Sequence, residues 1–185
     1  LPLAALAGTP IDKRATADPT GTVEISNTAG SVLVTGWDRN EVEVTGELGK
    51  GTERLDFTKS DMITRIKVVL PNRSHNVDDT DLVVKVPAGS QVSINTVSAD
   101  IGVHAVRGTQ RLQSVSGDMR TETSGDDLEC RTVSGDVTIA GSGRKGLVSI
   151  PTVRGNASAT RLAGEVTGST VSGDFTLAVG APTRS

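Results

Sequence analysis

Apolar and polar residues alternate along much of the chain with a period of two. Runs such as Glu41-Val-Glu-Val44, Val137-Thr-Ile139 and Phe175-Thr-Leu177 follow this pattern, and segments containing Gly, Asn or Asp separate such runs. Alternation predicts strands with one buried face and one solvent face, and the separating segments predict turns. No segment shows the 3.6-residue period of an amphipathic helix. The pattern therefore predicts an all-β protein.

One four-residue phrase recurs five times between residues 97 and 179, with three spacings of 18 residues and one of 20. The copies are Val97-Ser-Ala-Asp100, Val115-Ser-Gly-Asp118, Val133-Ser-Gly-Asp136, Val153-Arg-Gly-Asn156 and Val171-Ser-Gly-Asp174. A fixed period of this length is typical of stacked repeats. We therefore predict a single-stranded β-helix, or β-solenoid, with rungs of about 18 residues. Hexapeptide rungs fail, because steps of six from Met119 reach Gly125 and Arg131 instead of aliphatic residues.

The repeats and the flanking segments predict the domain organisation. Residues 21–180 are predicted to form one solenoid domain, with regular repeats at 97–179, wider irregular rungs in the N-terminal half, and a tail at 181–185. Residues 1–20 are interpreted as a signal-peptide remnant and a flexible lead-in. The remnant is the apolar run that closes on Ala5-Leu-Ala7, and the alternative is an unrelated tail. A secretory signal predicts a periplasmic, extracellular or cell-envelope location.

The composition limits which residues can form the core and which classes of partner are expected. Aromatic residues make up 2% of the chain and Tyr is absent, which suits a narrow core of Val, Ile, Leu and Thr. The net charge of −3 and the lack of a basic patch argue against nucleic acid as a partner. No stretch reaches the ~18 apolar residues of a membrane span. Cys130 is the single cysteine and is predicted to be a buried apolar residue, and Trp37 is predicted to cap the core.

Several segments together resemble a known family. They are Gly30-Ser-Val-Leu-Val-Thr-Gly-Trp-Asp38, then Glu41–Val44, then Leu82–Gly89 with its Val-Pro-Ala-Gly ending, and finally the Ser-Gly-Asp repeats. Over residues 21–179 the chain resembles the bacterial putative-adhesin β-helix domains of unknown function, which are related to the head domains of autotransporter adhesins. The resemblance implies a β-helix on a secreted or envelope-associated protein, with adhesion as the proposed role. It implies no catalytic residues.

The repeated acidic position is the first candidate for chemistry. Its members are Asp100, Asp118, Asp136 and Asp174, with Asn156 in the fourth repeat. One interpretation is that each carboxylate accepts backbone N–H bonds in its own turn. The alternative is a Ca²⁺-stabilised β-roll, in which carboxylates of successive rungs supply oxygen ligands to the ion.

Clustered carboxylates elsewhere suggest a carbohydrate-active β-helix enzyme as a rival function. The clusters are Asp126-Asp127 and Asp78-Asp79 with Asp81, and the cations available to hold a sugar acid are Arg107, Arg111, Arg120 and Arg131. Both clusters fall in predicted loops or turns, and no phosphate-binding loop, nucleophile elbow or His/Cys metal spacing accompanies them. We therefore predict a non-enzymatic binding or structural module without a cofactor.

The end of the chain predicts self-association. The last repeat is followed by Gly180-Ala-Pro-Thr-Arg-Ser185, which contains no amphipathic cap. A β-solenoid without a cap exposes unpaired backbone groups. We therefore expect a homo-oligomer through the C-terminal end, or another protein covering that end.

Overall fold

The structure is a computed structural model that describes residues 8–73, 76–124 and 126–179. Fourteen strands lie in this part of the chain. The first seven are β1 (Thr9–Thr16), β2 (Thr22–Trp37), β3 (Glu41–Leu48), β4 (Arg54–Ser60), β5 (Ile63–Val69), β6 (Thr80–Pro87) and β7 (Gln91–His104). The others are β8 (Gln110–Ser114), β9 (Met119–Thr123), β10 (Leu128–Ser134), β11 (Val137–Gly141), β12 (Lys145–Arg154), β13 (Ala157–Ser172) and β14 (Phe175–Val179). The all-β prediction is confirmed.

Seven of these strands close into a parallel barrel. Pairing runs β7-β8-β10-β12-β13-β11-β9, and β9 pairs back onto β7. The predicted single-stranded β-helix with stacked rungs is therefore wrong. The barrel closes because two long strands each serve two neighbours. Strand β7 pairs with β8 through residues 92–95 and with β9 through residues 101–103, while β13 pairs with both β12 and β11.

The N-terminal half adds outer strands to the barrel, and β2 joins them to β7. Strand β2 lies parallel to β5, β6 and β7, whereas β3 is antiparallel to both β1 and β6, and β4 is antiparallel to β5. The predicted irregular, wider rungs in this half are therefore wrong as well. Residues 9–16, which the sequence assigned to the lead-in, form β1 and pair with β3. The predicted signal-peptide remnant at 1–7 and the tail at 181–185 lie outside the described residues.

The core consists of small and aliphatic side chains in register across the parallel strands. Leu112 pairs with Ile94 on one side and with Cys130 on the other, and all three are fully buried. Thr132 likewise pairs with Ser114 and Thr152, so residues at equivalent repeat positions are neighbours in the sheet. Each fully buried aliphatic side chain contributes roughly 1.5–3 kcal/mol.

Glycine is required where the repeats turn between β8 and β9 and between β10 and β11. A Cβ added to Gly117 would overlap the carbonyl oxygen of Ala99, and one added to Gly135 would overlap the carbonyl oxygen of Gly117. The backbones of successive repeats therefore approach too closely for any other residue. This contact brings the acidic residue after each glycine close to its counterpart in the next repeat.

None of the described residues belongs to a helix of the length and apolarity that crossing a membrane requires.

Candidate functional site

A groove lies on the outer face of β2, β7, β9 and β11. The outward residues that line its floor are paired in series: Leu33 with Gly102, Gly102 with Arg120, and Arg120 with Thr138. Gly102 leaves a gap in this row, since the nearest atom to an added Cβ would be Leu33 Cδ1 at 3.0 Å. The resulting groove has a volume of about 590 Å³. Sequence reasoning missed it, although a glycine at an outward strand position is a signal for such a gap.

One wall of the groove is a hydrogen-bonded series that we call the Asx ladder: Asp100, Asp118, Asp136, Asn156 and Asp174. The backbone N–H of Asp118 donates to Asp100 Oδ1 at 2.9 Å, and the N–H of Asp136 donates to Asp118 Oδ1 at 2.9 Å. Asn156 and Asp174 continue the series at 2.8 and 3.0 Å. The acceptor bonds thus run from one repeat to the next and not within each residue's own turn, as one interpretation of the sequence expected. The four carboxylate residues of the ladder are exposed.

The Asx ladder does not form a calcium cage. Across residues 8–73, 76–124 and 126–179, no group of three or more His, Cys, Asp or Glu side chains is placed to hold a metal ion. Ca²⁺ requires six to eight oxygen ligands. The ladder carboxylates stand in single file, and Oδ1 of each of the first three already accepts a backbone N–H. The geometry gives the calcium hypothesis no support.

The side of the groove away from the ladder carries His104. His104 Nδ1 lies 3.4 Å from Glu122 Oε1, and both side chains are exposed. Arg120 lies on the floor between this pair and the ladder, while Leu33 contributes an apolar surface that is 39% exposed. The groove therefore offers hydrogen-bond acceptors along one wall, a cation on the floor and an apolar patch beside it. Such a mixture suits a ligand with both hydroxyl groups and C–H faces.

The other residues considered for a sugar-acid site are not gathered in this groove. Arg111 Nε binds Glu129 at 3.1 Å, and Arg131 Nη2 binds the same carboxylate at 3.2 Å. Asp81 lies on β6, where it accepts the hydroxyl of Ser31 at 2.8 Å. Asp126 and Asp127 precede β10, and Arg107 precedes β8. Only Arg120 of the four arginines lines the groove.

Trp37 is engaged by its own sheet. Its Nε1 donates to the carbonyl of Glu41 at 2.8 Å, and the Arg39 guanidinium and Lys85 ammonium lie 5.1 and 5.4 Å from the ring centroid. Lys85 also lies 3.5 Å from the buried carboxylate of Glu43. These contacts make Trp37 an anchor at the end of β2.

Cys130 is fully buried, as predicted. Burial raises the pKa of its thiol well above the ordinary value, because the low-polarity core disfavours the thiolate. A nucleophile would need the opposite shift. The geometry of Cys130 is therefore that of a packing residue.

The first valine of each repeat forms an exposed column, which we call the valine stripe: Val97, Val115, Val133, Val153 and Val171. These side chains are 42% to 82% exposed. The backbone N–H of Ser116 donates to the carbonyl of Val97 at 2.9 Å, and that of Ser134 donates to Val115 at 2.8 Å, which stacks the repeats at this position. Sequence reasoning missed the exposure. Strand alternation is a signal for it, since the residues before the first four valines (Thr96, Ser114, Thr132 and Thr152) are buried.

Comparison with known proteins establishes the family. A family model described as Toastrack DUF4097 matches residues 14–181. The chain belongs to the Toastrack DUF4097 family. The resemblance drawn from the sequence is thereby confirmed at the level of a family of unknown function, whereas its β-helix is not.

One solved structure supports the fold of this Toastrack protein, and a second has a more distant similarity. A "putative cell adhesion protein" from Clostridium sporogenes superposes with a TM-score of 0.61 at 9% identity, covering 93% of this chain and 100% of that one. A "putative adhesin" from Bacteroides fragilis gives a TM-score of 0.44 at 9% identity, covering 91% and 97%. At such identities the first match shows a shared fold alone. No curated protein matches the sequence.

Proposed function

We propose that this Toastrack protein is a non-enzymatic binding module of the cell surface or envelope, and that its groove holds a neutral or amino-sugar glycan. The observation that carries the proposal is the gap at Gly102 beside the Asx ladder. The gap gives a ligand access to the apolar surface of Leu33 and to a line of carboxylate oxygens at once.

The chemistry of the walls matches the chemistry of a sugar. The free oxygens of Asp100, Asp118 and Asp136 accept hydrogen bonds from hydroxyl or ammonium groups. Leu33 and the bare backbone of Gly102 provide a surface for the C–H face of a pyranose ring. Adjacent strands are about 4.8 Å apart, which is close to the length of one sugar unit in an extended glycan. The acceptors therefore repeat in step with the ligand.

The charged side chains of the groove should make it bind some classes of glycan more tightly than others. The ladder places three carboxylates along one wall, with Arg120 as the one cation among the residues that line the groove. A uronic or sialic acid would meet repulsion from this wall. We therefore expect neutral and amino-sugar chains to bind more tightly than acidic ones. The Clostridium sporogenes protein is named a putative cell adhesion protein, and that name agrees with recognition at a surface.

The test is binding to an array of defined neutral, amino-sugar and acidic oligosaccharides, followed by calorimetry with the tightest ligand. Gly102→Val fills the gap and should weaken binding at least about tenfold, or 1.4 kcal/mol. Ser93→Val adds a branched side chain to the same strand away from the groove and should leave affinity unchanged. Equal binding by the native protein and Gly102→Val would show that the ligand lies elsewhere.

A further inference from the structure

Three strands of the described chain have a partner on one side only over their whole length, and they differ in the residues that protect the free edge. Residues 163–172 of β13 also pair on one side only, with β12, and carry the charged Glu165. Strand β1 carries Pro10, Asp12, Lys13 and Arg14, and β4 carries Arg54, Asp56 and Lys59. Strand β14 reads Phe175-Thr-Leu-Ala-Val179, with no charge and no proline. Free strand edges in soluble proteins are ordinarily protected by charged residues or proline, because an unprotected edge pairs with another strand. By this criterion β14 is the unprotected edge.

The backbone of β14 is oriented for such pairing. The N–H of Ala157 on β13 donates to the carbonyl of Asp174 at 2.9 Å. In a parallel ladder the groups facing the neighbour alternate along the strand. Since Asp174 faces β13, the N–H and C=O groups of Phe175 and Leu177 face away from β13. They form an edge that can accept one more strand.

The side chains at this edge are apolar and half-covered. Phe175 is 37% exposed and Leu177 is 40% exposed, whereas Ala157 and Ala159, their partners on β13, are buried. The ring of Phe175 lies over Gly168, where an added Cβ would overlap the ring. Phe175 and Leu177 thus form the outermost apolar layer beside β13. An added strand would cover them.

We propose that β14 pairs antiparallel with β14 of a second copy of this chain, about a two-fold axis at Leu177. A two-fold contact requires a surface that is complementary to itself. The sequence of β14 meets this requirement: Leu177 lies opposite Leu177 of the second copy, and Thr176 lies opposite its Ala178. No ionisable side chain within β14 opposes a like charge, so pairing meets no electrostatic penalty. The inference is independent of the proposed glycan groove.

The dimer is weak, because a five-residue strand buries less surface than the roughly 800 Å² per partner of a standard interface. Sedimentation equilibrium from about 1 µM to about 1 mM should therefore show the mass of the native chain rising toward that of a dimer. The double variant Thr176→Glu, Ala178→Glu places like charges directly opposite each other across the axis and should remain monomeric. The variant Thr176→Lys, Ala178→Lys should behave in the same way.

A mixture of the glutamate and lysine variants should form a heterodimer, because opposite charges then face each other. This rescue requires that the variants fold, and it separates edge pairing from a general effect of added charge. Thr58→Glu with Ser60→Glu on β4 makes the same charge change at a protected edge and should dimerise like the native chain. A native chain that stays monomeric throughout, or glutamate and lysine variants that fail to associate when mixed, would overturn the proposal.

Discussion

At the scale of single residues, contact distance decides where glycine is indispensable. Gly135 does not have a positive φ, yet a Cβ there would overlap the carbonyl oxygen of Gly117. Gly143 has φ of +79° but open space around its missing Cβ. Gly135→Ala must displace the backbone of a neighbouring repeat, and we expect a loss of about 2–4 kcal/mol. Gly143→Ala should lose only about 1–2 kcal/mol of unfolding free energy, because the alanine must adopt a positive φ.

Urea unfolding of both glycine variants measures these losses. A larger loss for Gly135→Ala would show that close approach between repeats controls the turn. A larger loss for Gly143→Ala would mean that backbone conformation matters more than the contact.

The Cys130 thiol gives a second prediction at this scale. Its pKa is raised by burial, so the fraction of thiolate at pH 8 is lower than for an exposed cysteine. Ellman's reagent should therefore leave the native protein unmodified over hours and react fully once urea unfolds it. Fast reaction of the folded protein would show that the core opens easily around β10. The burial of Cys130 was predictable, because the alternation of its strand fixes the phase of inward positions.

At the scale of elements, the Asx ladder joins successive repeats through backbone N–H bonds to its side chains. We expect the melting temperature to change by less than about 2 °C, or under ~1 kcal/mol, between excess EDTA and excess Ca²⁺. The reason is that Oδ1 of Asp100, of Asp118 and of Asp136 each already accepts a backbone N–H. A rise above about 5 °C that Asp118→Asn abolishes would instead establish a calcium site. Asp81→Asn, outside the ladder, is the matched control.

Strands were easier to predict than their partners. Alternation identified Glu41–Val44 as a strand because Val42 and Val44 point to the same side of β3 and are buried there, and the pattern is visible in four residues. The same alternation occurs in parallel and antiparallel strands, so it could not show that β3 runs antiparallel to β6. The groove depends on such pairing, since Leu33 and Gly102 are 69 residues apart in sequence and adjacent in the sheet.

At the scale of the whole molecule, the repeat period identified neighbours but not closure. A period of 18 residues places Thr132 beside Ser114, and these residues are partners. Whether successive pairs form an open stack or a closed barrel depends on the two ends of the series. There β7 and β13 each reach two neighbours. That outcome is set by strand length and twist in three dimensions, which a linear period does not contain.

The position of β2 in the sheet also affects the order in which the strands fold. All three of its neighbours, β5, β6 and β7, follow it in the chain. Thr22, for example, pairs with Gln91 and cannot form this pair until the chain between them has closed into a loop. In contrast, Leu128 pairs with Gln110, which precedes it in the sequence by only one repeat. Because short loops close faster than long ones, the C-terminal repeats should acquire hydrogen-exchange protection before β2 does. The first long strand to be synthesised would then be among the last to become ordered.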